Sequence, residues 1–268
     1  MIGFSRSAYY EAKKPKEVKE KGIKDADLFG KIQGINHEHP FWGYRRVTAW
    51  LVHREKLLVN HKKVRRLMKE KGLMVTQTVY KAKRTPQGRK PRAEKPGQYW
   101  GIDMTKVMIP SLGWAYLVIV LDWYTKKIVG WDISIRSKAE DWKRALEMGI
   151  NTEFPEGVRG QGLSLISDNG SQPTSTSFMK DMASLEIEQI FTSYNNPKGN
   201  ADTERMMRTI KEELLWLNEF SSLEEAKGKL EKWIKEDYNK NYVHSTLEYK
   251  SPEEFEKYYY ENLLKKVA

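Results

Sequence analysis

Residues 99–135 have the sequence YWGIDMTKVMIPSLGWAYLVIVLDWYTKKIVGWDISI, which predicts three consecutive β-strands. Each run is rich in β-branched and aromatic residues, and Gly113 and the segment DWYTKK separate one run from the next. Connections this short join antiparallel strands, because parallel strands need a crossover of a dozen or more residues. The stretch therefore predicts a three-stranded antiparallel sheet.

Beyond these strands the pattern alternates between helix and strand. The predicted segments are, in order, a helix in 137–150, a strand in 163–170, a helix in 174–185, a strand in 186–193 and a long helix from Asn200 to about Leu217. A further amphipathic helix follows. Three antiparallel strands, then helix, strand, helix, strand and helix is the order of an RNase-H-like α/β fold, which we predict for this part of the chain.

The front of the chain predicts helices. DADLFGKIQGIN (25–36) and YRRVTAWLVHREK (44–56) carry apolar residues at helical spacing. Asn60 is a good N-cap for a third helix, HKKVRRLMKEKGL, and Gly72 is a natural residue to end it. Helices of this length, joined by short turns and the last one basic, favour a helix-turn-helix at about 24–75. A small basic bundle without a groove-reading helix is the alternative.

Charge is distributed unevenly along the chain. The formal net charge is +11; residues 1–96 carry 25 Lys and Arg against 9 Asp and Glu, whereas residues 97–268 carry 22 against 27. This indicates a polyanion-binding module joined to a different one. Residues 81–97 contain three prolines and seven basic residues and predict a flexible linker that follows phosphates. We therefore expect a helical DNA-binding region at 1–80, this linker, and a core with C-terminal helices at 98–268.

Several classes of site and location are excluded by composition. The sequence has no cysteine, so it has neither disulfides nor thiolate-bound zinc. A metal site would use oxygen ligands, which suit Mg²⁺ or Mn²⁺. No apolar run approaches the roughly 20 residues of a membrane span, and the N-terminus lacks the apolar core of a signal peptide. We expect a cytoplasmic protein with no membrane partner.

Three acidic residues stand out by their context. Asp103 lies among apolar neighbours in a strand, where a carboxylate is costly to bury unless it is paired or bound to metal. Asp168 follows the strand LSLIS, at the end of a strand where α/β sheets open into a crevice. Glu204 lies in the first turns of a helix, and 35 residues separate it from Asp168.

These three carboxylates converge if the first and fourth strands are neighbours. They would repel one another unless divalent cations neutralised them. Two Mg²⁺ or Mn²⁺ ions about 4 Å apart would activate a water or hydroxyl and stabilise the leaving oxygen of a phosphodiester. Arg208 and Lys211 follow Glu204 by four and seven residues on the same helix face, where a cation can hold the adjoining phosphate.

Other acidic and aromatic residues admit a structural interpretation. Asp122 ends a strand and is expected to close a turn, and Asp132 is expected on the surface of a strand. His244 is expected to be a structural hydrogen-bonding residue, with packing over the site or DNA contact as alternatives. Trp42 and Tyr44 are expected in the core, although both are able to stack on DNA.

In combination, these motifs resemble the second-reading-frame product of bacterial insertion-sequence transposases, which are DDE enzymes of the retroviral integrase superfamily. The matching segments are GFSRSAYYEAKK (3–14), HPFWGYRRVTAWL (39–51), YWGIDMT (99–105), SDNGSQPTS (167–175), GNADTERMMRTIKEE (199–213) and YNKNYVHSTLEYKSPEEF (238–255). The resemblance covers nearly the whole chain. Pro173 departs from it, because the family usually has an aromatic residue there.

The resemblance implies a DNA transposase with Asp103, Asp168 and Glu204 as catalytic metal ligands for two ions. It implies nicking at insertion-element ends and attack of the 3′ hydroxyl on another phosphodiester. It also implies double-stranded element ends and target DNA as partners, at least a dimer on DNA, a first-reading-frame partner or fusion, and a place on the bacterial nucleoid. A catalytically silent DNA-binding regulator and a nuclease of the same fold are the alternatives.

Candidate DNA-contacting residues are basic residues of three regions. They are Arg208 and Lys211 beside the acidic residues, Arg45, Arg46, Lys62, Lys63, Arg65 and Arg66 in the helix-turn-helix, and Lys83, Arg84, Arg89, Lys90 and Arg92 in the linker.

Overall fold

The computed structural model describes residues 24–75, 92–192 and 200–267, and the boundary between its two compact units falls after Val75. The segment GFSRSAYYEAKK (3–14) and most of the predicted linker lie outside the described residues. Each unit is built around its own hydrophobic core.

The first unit consists of three helices, α1 (Asp25–Glu38), α2 (Tyr44–His53) and α3 (His61–Glu70). The caps predicted for α3 are confirmed. The Asn60 side chain accepts a hydrogen bond from Lys62 N at 2.8 Å, and Gly72 follows the helix with a φ of +71°. The core consists of the buried residues at helical spacing, which are Leu28, Ile32, Ile35, Val47, Leu51, Val64, Leu67 and Met68.

A five-stranded mixed sheet forms the second unit. Its strands are β1 (Tyr99–Ile109), β2 (Gly113–Asp122), β3 (Ile128–Ser134), β4 (Ser164–Ser167) and β5 (Glu188–Phe191). The order across the sheet is β3-β2-β1-β4-β5. The first three strands are antiparallel, and β4 and β5 run parallel to β1. The predicted RNase-H-like fold is confirmed.

One face of the sheet is covered by α4 (Ala139–Glu153) and α5 (Thr176–Ser184). Even-numbered residues of β1 and β2 point into this layer, where Trp100, Ile102 and Val120 are almost fully buried. The contact between β3 and α4 is close enough that a Cβ on Gly130 would lie 2.0 Å from the Ala145 carbonyl oxygen.

The helix α6 (Ala201–Ile210) covers the opposite face of the sheet. Met207 and Ile210 lie on the buried side of this helix. The predicted helix from Asn200 to Leu217 is not uniform, because it changes to a π-helical turn at Lys211–Leu215, where Trp216 N donates to Lys211 O at 2.9 Å.

The remaining helical segments follow in chain order. They are α7 (Leu223–Lys232), a π-helical segment (Trp233–Tyr238), α8 (Asn239–Asn241), a 3₁₀ turn (Ser245–Leu247) and α9 (Pro252–Val267). None of the helices within the described residues is both long and apolar enough to cross a membrane.

The contact of α6 with β1 depends on Gly101. A Cβ there would lie 1.9 Å from Thr203 Oγ1 and 2.4 Å from Trp123 Nε1, and these atoms belong to buried side chains. A glycine inside a strand often marks such a close approach of another element. Gly101 therefore allows α6 to lie against the sheet.

We expect Gly101→Ala to lower the free energy of unfolding by about 3 kcal/mol, because the methyl group must displace buried atoms of α6 and the turn. Gly228→Ala is the matched control: Gly228 lies in α7, its Cβ position is open, and the substitution should stabilise the protein by up to about 1 kcal/mol. Denaturant titration of both variants measures the difference. Equal stability of the two variants would contradict the close contact.

Candidate functional site

The three acidic residues come from three elements of the second unit. Asp103 lies in the middle of β1, Asp168 follows the last residue of β4, and Glu204 lies in the first turn of α6. In the β1–β4 ladder, Gly101 pairs with Ile166, so the same register continued by two residues sets Asp103 opposite Asp168. The condition set for bringing these carboxylates together, that the first and fourth strands are neighbours, is met.

The electrostatics of Asp103 indicate that these groups are near one another. Burial raises the pKa of the Asp103 carboxyl to about 6. The negative charges of Asp168 and Glu204 raise this pKa as well, whereas a hydrogen bond from Met104 N and the positive charge of Lys211 lower it. Asp168 and Glu204 are exposed, and Asp103 is half-buried.

The segment after Asp168 is held on both sides. Asp168 Oδ1 accepts a hydrogen bond from Gly170 N at 3.0 Å, which forms the predicted polar turn. Gln172 Nε2 donates to Ser137 Oγ at 2.8 Å, and the Pro173 carbonyl accepts from Gln189 Nε2 at 3.1 Å. Pro173, the departure from the family pattern, is thus a buried residue tied to β5.

The chemistry of these three side chains suits a hard divalent cation, because they offer carboxylate oxygens and none has an ion-pair partner among the described residues. Within residues 24–75, 92–192 and 200–267, no three His, Asp or Glu side chains form a ready-made metal site. Asp103 Oδ1 and Asp168 Oδ1 instead accept hydrogen bonds from nearby backbone N–H groups.

The two cations that follow Glu204, Arg208 in α6 and Lys211 in the π-helical turn, differ in their surroundings. Lys211 is half-buried and close enough to lower the pKa of Asp103. Arg208 is exposed, and its Nε donates to Glu212 Oε1 at 2.7 Å. Lys211 is thus the cation whose charge acts at the site, whereas Arg208 is engaged along its own helix.

Asp122, the alternative acidic residue, has a structural role. It is buried, and its Oδ1 accepts hydrogen bonds from Tyr124 N, Thr125 N and Thr125 Oγ1. Its Oδ2 accepts from Gly97 N at 2.7 Å and Trp100 Nε1 at 3.0 Å. These five donors satisfy the carboxylate within the β2–β3 turn.

Asp132, the other alternative, forms an ion pair with Arg144 at 2.9 Å. His244 is packed among rings, at 5.4 Å from the Tyr238 ring centroid and 5.0 Å from that of Tyr242. Trp42 is fully buried and stacks on His39 with ring centroids 3.9 Å apart, which confirms the core position predicted for it.

Sequence reasoning missed a group of residues beside Glu204. Trp123 Nε1 donates to Thr203 Oγ1 at 3.1 Å, and Lys126 Nζ forms an ion pair with Asp202 at 3.2 Å. Gly101, two residues before Asp103, was the available signal, because a glycine inside a strand indicates a close neighbour. The identity of that neighbour was not encoded locally.

The basic residues of the first unit fall into two groups. Lys63 and Arg66 form ion pairs with Asp25 at 2.8 and 2.5 Å, and Arg66 also pairs with Glu70. The hydrogen bonds from Lys63 and Arg66 hold the pKa of Asp25 below its usual range.

The second group is Arg45, Arg46, Lys62 and Arg65, of which Arg46 is half-buried and the other three are exposed. Lys62 and Arg65 have no ion-pair partner within the described residues. The guanidinium groups of Arg45 and Arg65 lie 5.2 and 5.6 Å from the centroid of the Tyr44 ring, and that of Arg46 lies 5.5 Å from the centroid of Trp42. Two guanidinium groups therefore lie within cation–π distance of the Tyr44 ring.

Only one of the candidate DNA-contacting residues in the linker lies within the described part of the chain. Arg92 is exposed, whereas the candidates Lys83, Arg84, Arg89 and Lys90 lie outside the described residues.

Comparisons with known proteins define the class of both units. Integrase core domain models match residues 93–197 and 185–252, and an HTH-like domain model matches residues 23–83. A chain in the cryo-EM structure of the simian T-cell lymphotropic virus intasome in complex with PP2A regulatory subunit B56 gamma has a TM-score of 0.50 and 15% identity to this chain. That match covers 85% of this chain and 74% of the other, and it is a likeness of fold.

The sequence relatives define the family. The transposase for insertion sequence element IS904 of Lactococcus lactis is 31% identical over 86% of this chain and 94% of its own length. The putative transposase InsK for insertion sequence element IS150 of Escherichia coli is 29% identical over 87% of this chain and 83% of its own length. The protein thus combines an HTH-like domain with an integrase core, and it belongs to the insertion sequence transposases of the retroviral integrase superfamily.

We expect Asp122→Asn to lower the free energy of unfolding by about 3 kcal/mol. The new NH₂ group would face N–H or O–H donors whose hydrogen bonds the carboxylate accepts in the wild-type protein, and it cannot accept them. Asp132→Asn is the matched control, since it breaks an exposed pair and should change stability by less than about 1 kcal/mol. Denaturant titration measures both. A small effect at Asp122 would show that its five hydrogen bonds do not hold the turn.

Proposed function

We propose that this protein is a metal-dependent DNA transposase that nicks insertion-element ends and joins the resulting 3′ hydroxyl to another DNA phosphodiester. The observation that carries the proposal is that the register of β1 and β4 sets Asp103 opposite Asp168, and that the charges of Asp168, Glu204 and Lys211 all act on the Asp103 carboxyl. In this proposal the three carboxylates are the metal ligands of the active site.

Two Mg²⁺ or Mn²⁺ ions, when bound, would supply a polarised nucleophile and stabilisation of the leaving oxygen. The residues of the chain would bind these ions and hold the scissile phosphate. Asp103 in β1 and Asp168 directly after β4 would supply carboxylate oxygens from neighbouring strands, and Glu204 would add a third carboxylate from α6. Lys211 donates hydrogen bonds to a non-bridging oxygen of the scissile phosphate, which fixes that phosphate and offsets its charge.

Double-stranded DNA is the proposed partner of both units. The first unit would read element ends through α3, whose exposed Lys62 and Arg65 suit contact with phosphates. Since two ends must be brought together, we propose at least a dimer on DNA, with a first-reading-frame product as partner or fusion. The bacterial nucleoid in the cytoplasm is the proposed place of action.

The test of the active site is a cleavage and joining assay with element-end duplexes and Mg²⁺. We expect Asp168→Asn to lower cleavage and strand transfer at least about 100-fold, because it removes an anionic ligand, while DNA affinity in gel shifts stays within about twofold. Asp132→Asn, on the same sheet but paired with Arg144, should keep wild-type turnover.

Three outcomes separate the possibilities. Wild-type turnover by Asp168→Asn would remove this residue from the active site. Cleavage without joined products by the wild-type protein would indicate a nuclease. Specific binding of element ends with neither product, in Mg²⁺ and in Mn²⁺, would indicate a DNA-binding regulator that has lost catalysis.

A second experiment tests which face of α3 contacts DNA. We expect Arg65→Ala to weaken binding of element-end DNA and to reduce the slope of log affinity against log salt by about 1, because one phosphate contact is lost. Arg66→Ala, one residue along, should have a smaller effect, because Arg66 is engaged with Asp25 and Glu70. The reverse ranking of the two variants would mean that α3 presents its other face.

A further inference from the structure

Among the described residues, no side chain caps the start of α6. Asn200 precedes the helix, yet its side chain makes no capping hydrogen bond. Its buried Oδ1 has no hydrogen-bond partner among the described residues. The first turn, which carries Glu204, makes contacts with another part of the unit.

Those contacts come from the turn between β2 and β3. Trp123 Nε1 donates to Thr203 Oγ1 at 3.1 Å, and both residues are almost fully buried. Lys126 Nζ pairs with Asp202 at 3.2 Å and also donates to the Trp123 carbonyl oxygen at 2.6 Å. The two residues immediately before Glu204 are thus both tied to the same turn.

The turn itself is fixed. Asp122 accepts hydrogen bonds from the backbone N–H groups of Tyr124 and Thr125. Lys126 has a φ of +60°, in the left-handed region, and its backbone N–H donates to the Asp122 carbonyl oxygen at 2.9 Å. A segment held at this many points is a rigid base for α6.

We propose that Trp123 is a positioning residue that sets the place of Glu204 relative to Asp103. Thr203 precedes Glu204, and Gly101, against which Thr203 packs, lies two residues before Asp103. One contact therefore fixes the spacing between a strand carboxylate and the helix carboxylate. This inference rests on the proposed function for its catalytic consequence, whereas the placement of α6 is measurable without it.

The test compares two Thr→Val variants on the same helix. Thr203→Val removes the acceptor of the Trp123 hydrogen bond and keeps the side-chain volume. Thr209→Val is the matched control, because Thr209 is also buried and, within the described part of the chain, its hydroxyl donates only to Arg205 O, inside α6, at 3.1 Å. A general loss of stability would affect both variants alike.

The first readout is hydrogen exchange of the amides in the first turn of α6, measured by mass spectrometry on the full metal-free chain. We expect exchange to be about tenfold faster in Thr203→Val and unchanged in Thr209→Val, because only the former loses a tertiary hydrogen bond. The second readout is the Mg²⁺ or Mn²⁺ concentration that gives half of the metal-induced rise in Tm. It should increase about 10- to 100-fold in Thr203→Val alone.

Further variants keep the test decisive if Thr203→Val folds poorly. Trp123→Phe deletes the same hydrogen bond from the other side, and Thr203→Ser restores the hydroxyl. We expect Trp123→Phe to reproduce the exchange effect and Thr203→Ser to stay close to wild type. The double variant Trp123→Phe/Thr203→Val should be no worse than the more affected single variant, since both remove one bond.

Wild-type exchange at the start of α6 in both Thr203→Val and Trp123→Phe would overturn the proposal. Equal effects of Thr203→Val and Thr209→Val would overturn it as well. Failure of the proposed function is a separate result: the wild-type protein would then yield no joined DNA products, while the exchange readout would still decide whether the turn holds α6.

Discussion

The close contact between α6 and β1 at Gly101 is the constraint on which the acidic site depends. The three carboxylates belong to elements far apart in sequence, and only two of these elements share a hydrogen-bonded ladder. The helix that carries Glu204 has no such ladder to fix it. Its position is set by side-chain packing, and the absence of a Cβ at Gly101 is what lets Thr203 lie against the strand.

The turn between β2 and β3 extends this constraint to the C-terminal part of the chain. Lys127 forms ion pairs with Glu153 of α4 at 2.9 Å and with Glu256 of α9 at 2.8 Å. Tyr124 packs against Phe255, with ring centroids 5.4 Å apart. The residues that hold α6 therefore lie in the same six-residue stretch, DWYTKK, that anchors α9. A change in α9 has a short physical route to Glu204.

Much of the fold followed from the sequence because its signals are local. Alternation of apolar residues and short turns predicted the three antiparallel strands, and Asn60 and Gly72 predicted both ends of α3. The π-helical turn at Lys211–Leu215 was missed because no local residue type marks it. The engagement of Arg66 with Asp25, 41 residues away, was missed because an ion pair across helices depends on tertiary packing.

The site divides the electrostatic cost of its carboxylates unequally. Charge repulsion and burial both oppose ionisation, and burying all three groups would add their desolvation penalties. Of the three, only Asp103 is half-buried, and its burial raises the pKa of its carboxyl. Asp168 and Glu204 remain exposed to solvent. High-dielectric surroundings weaken the repulsion between exposed charges. This arrangement therefore lowers the electrostatic cost of bringing three acidic groups together, and it keeps the attraction for cations that unpaired carboxylates provide.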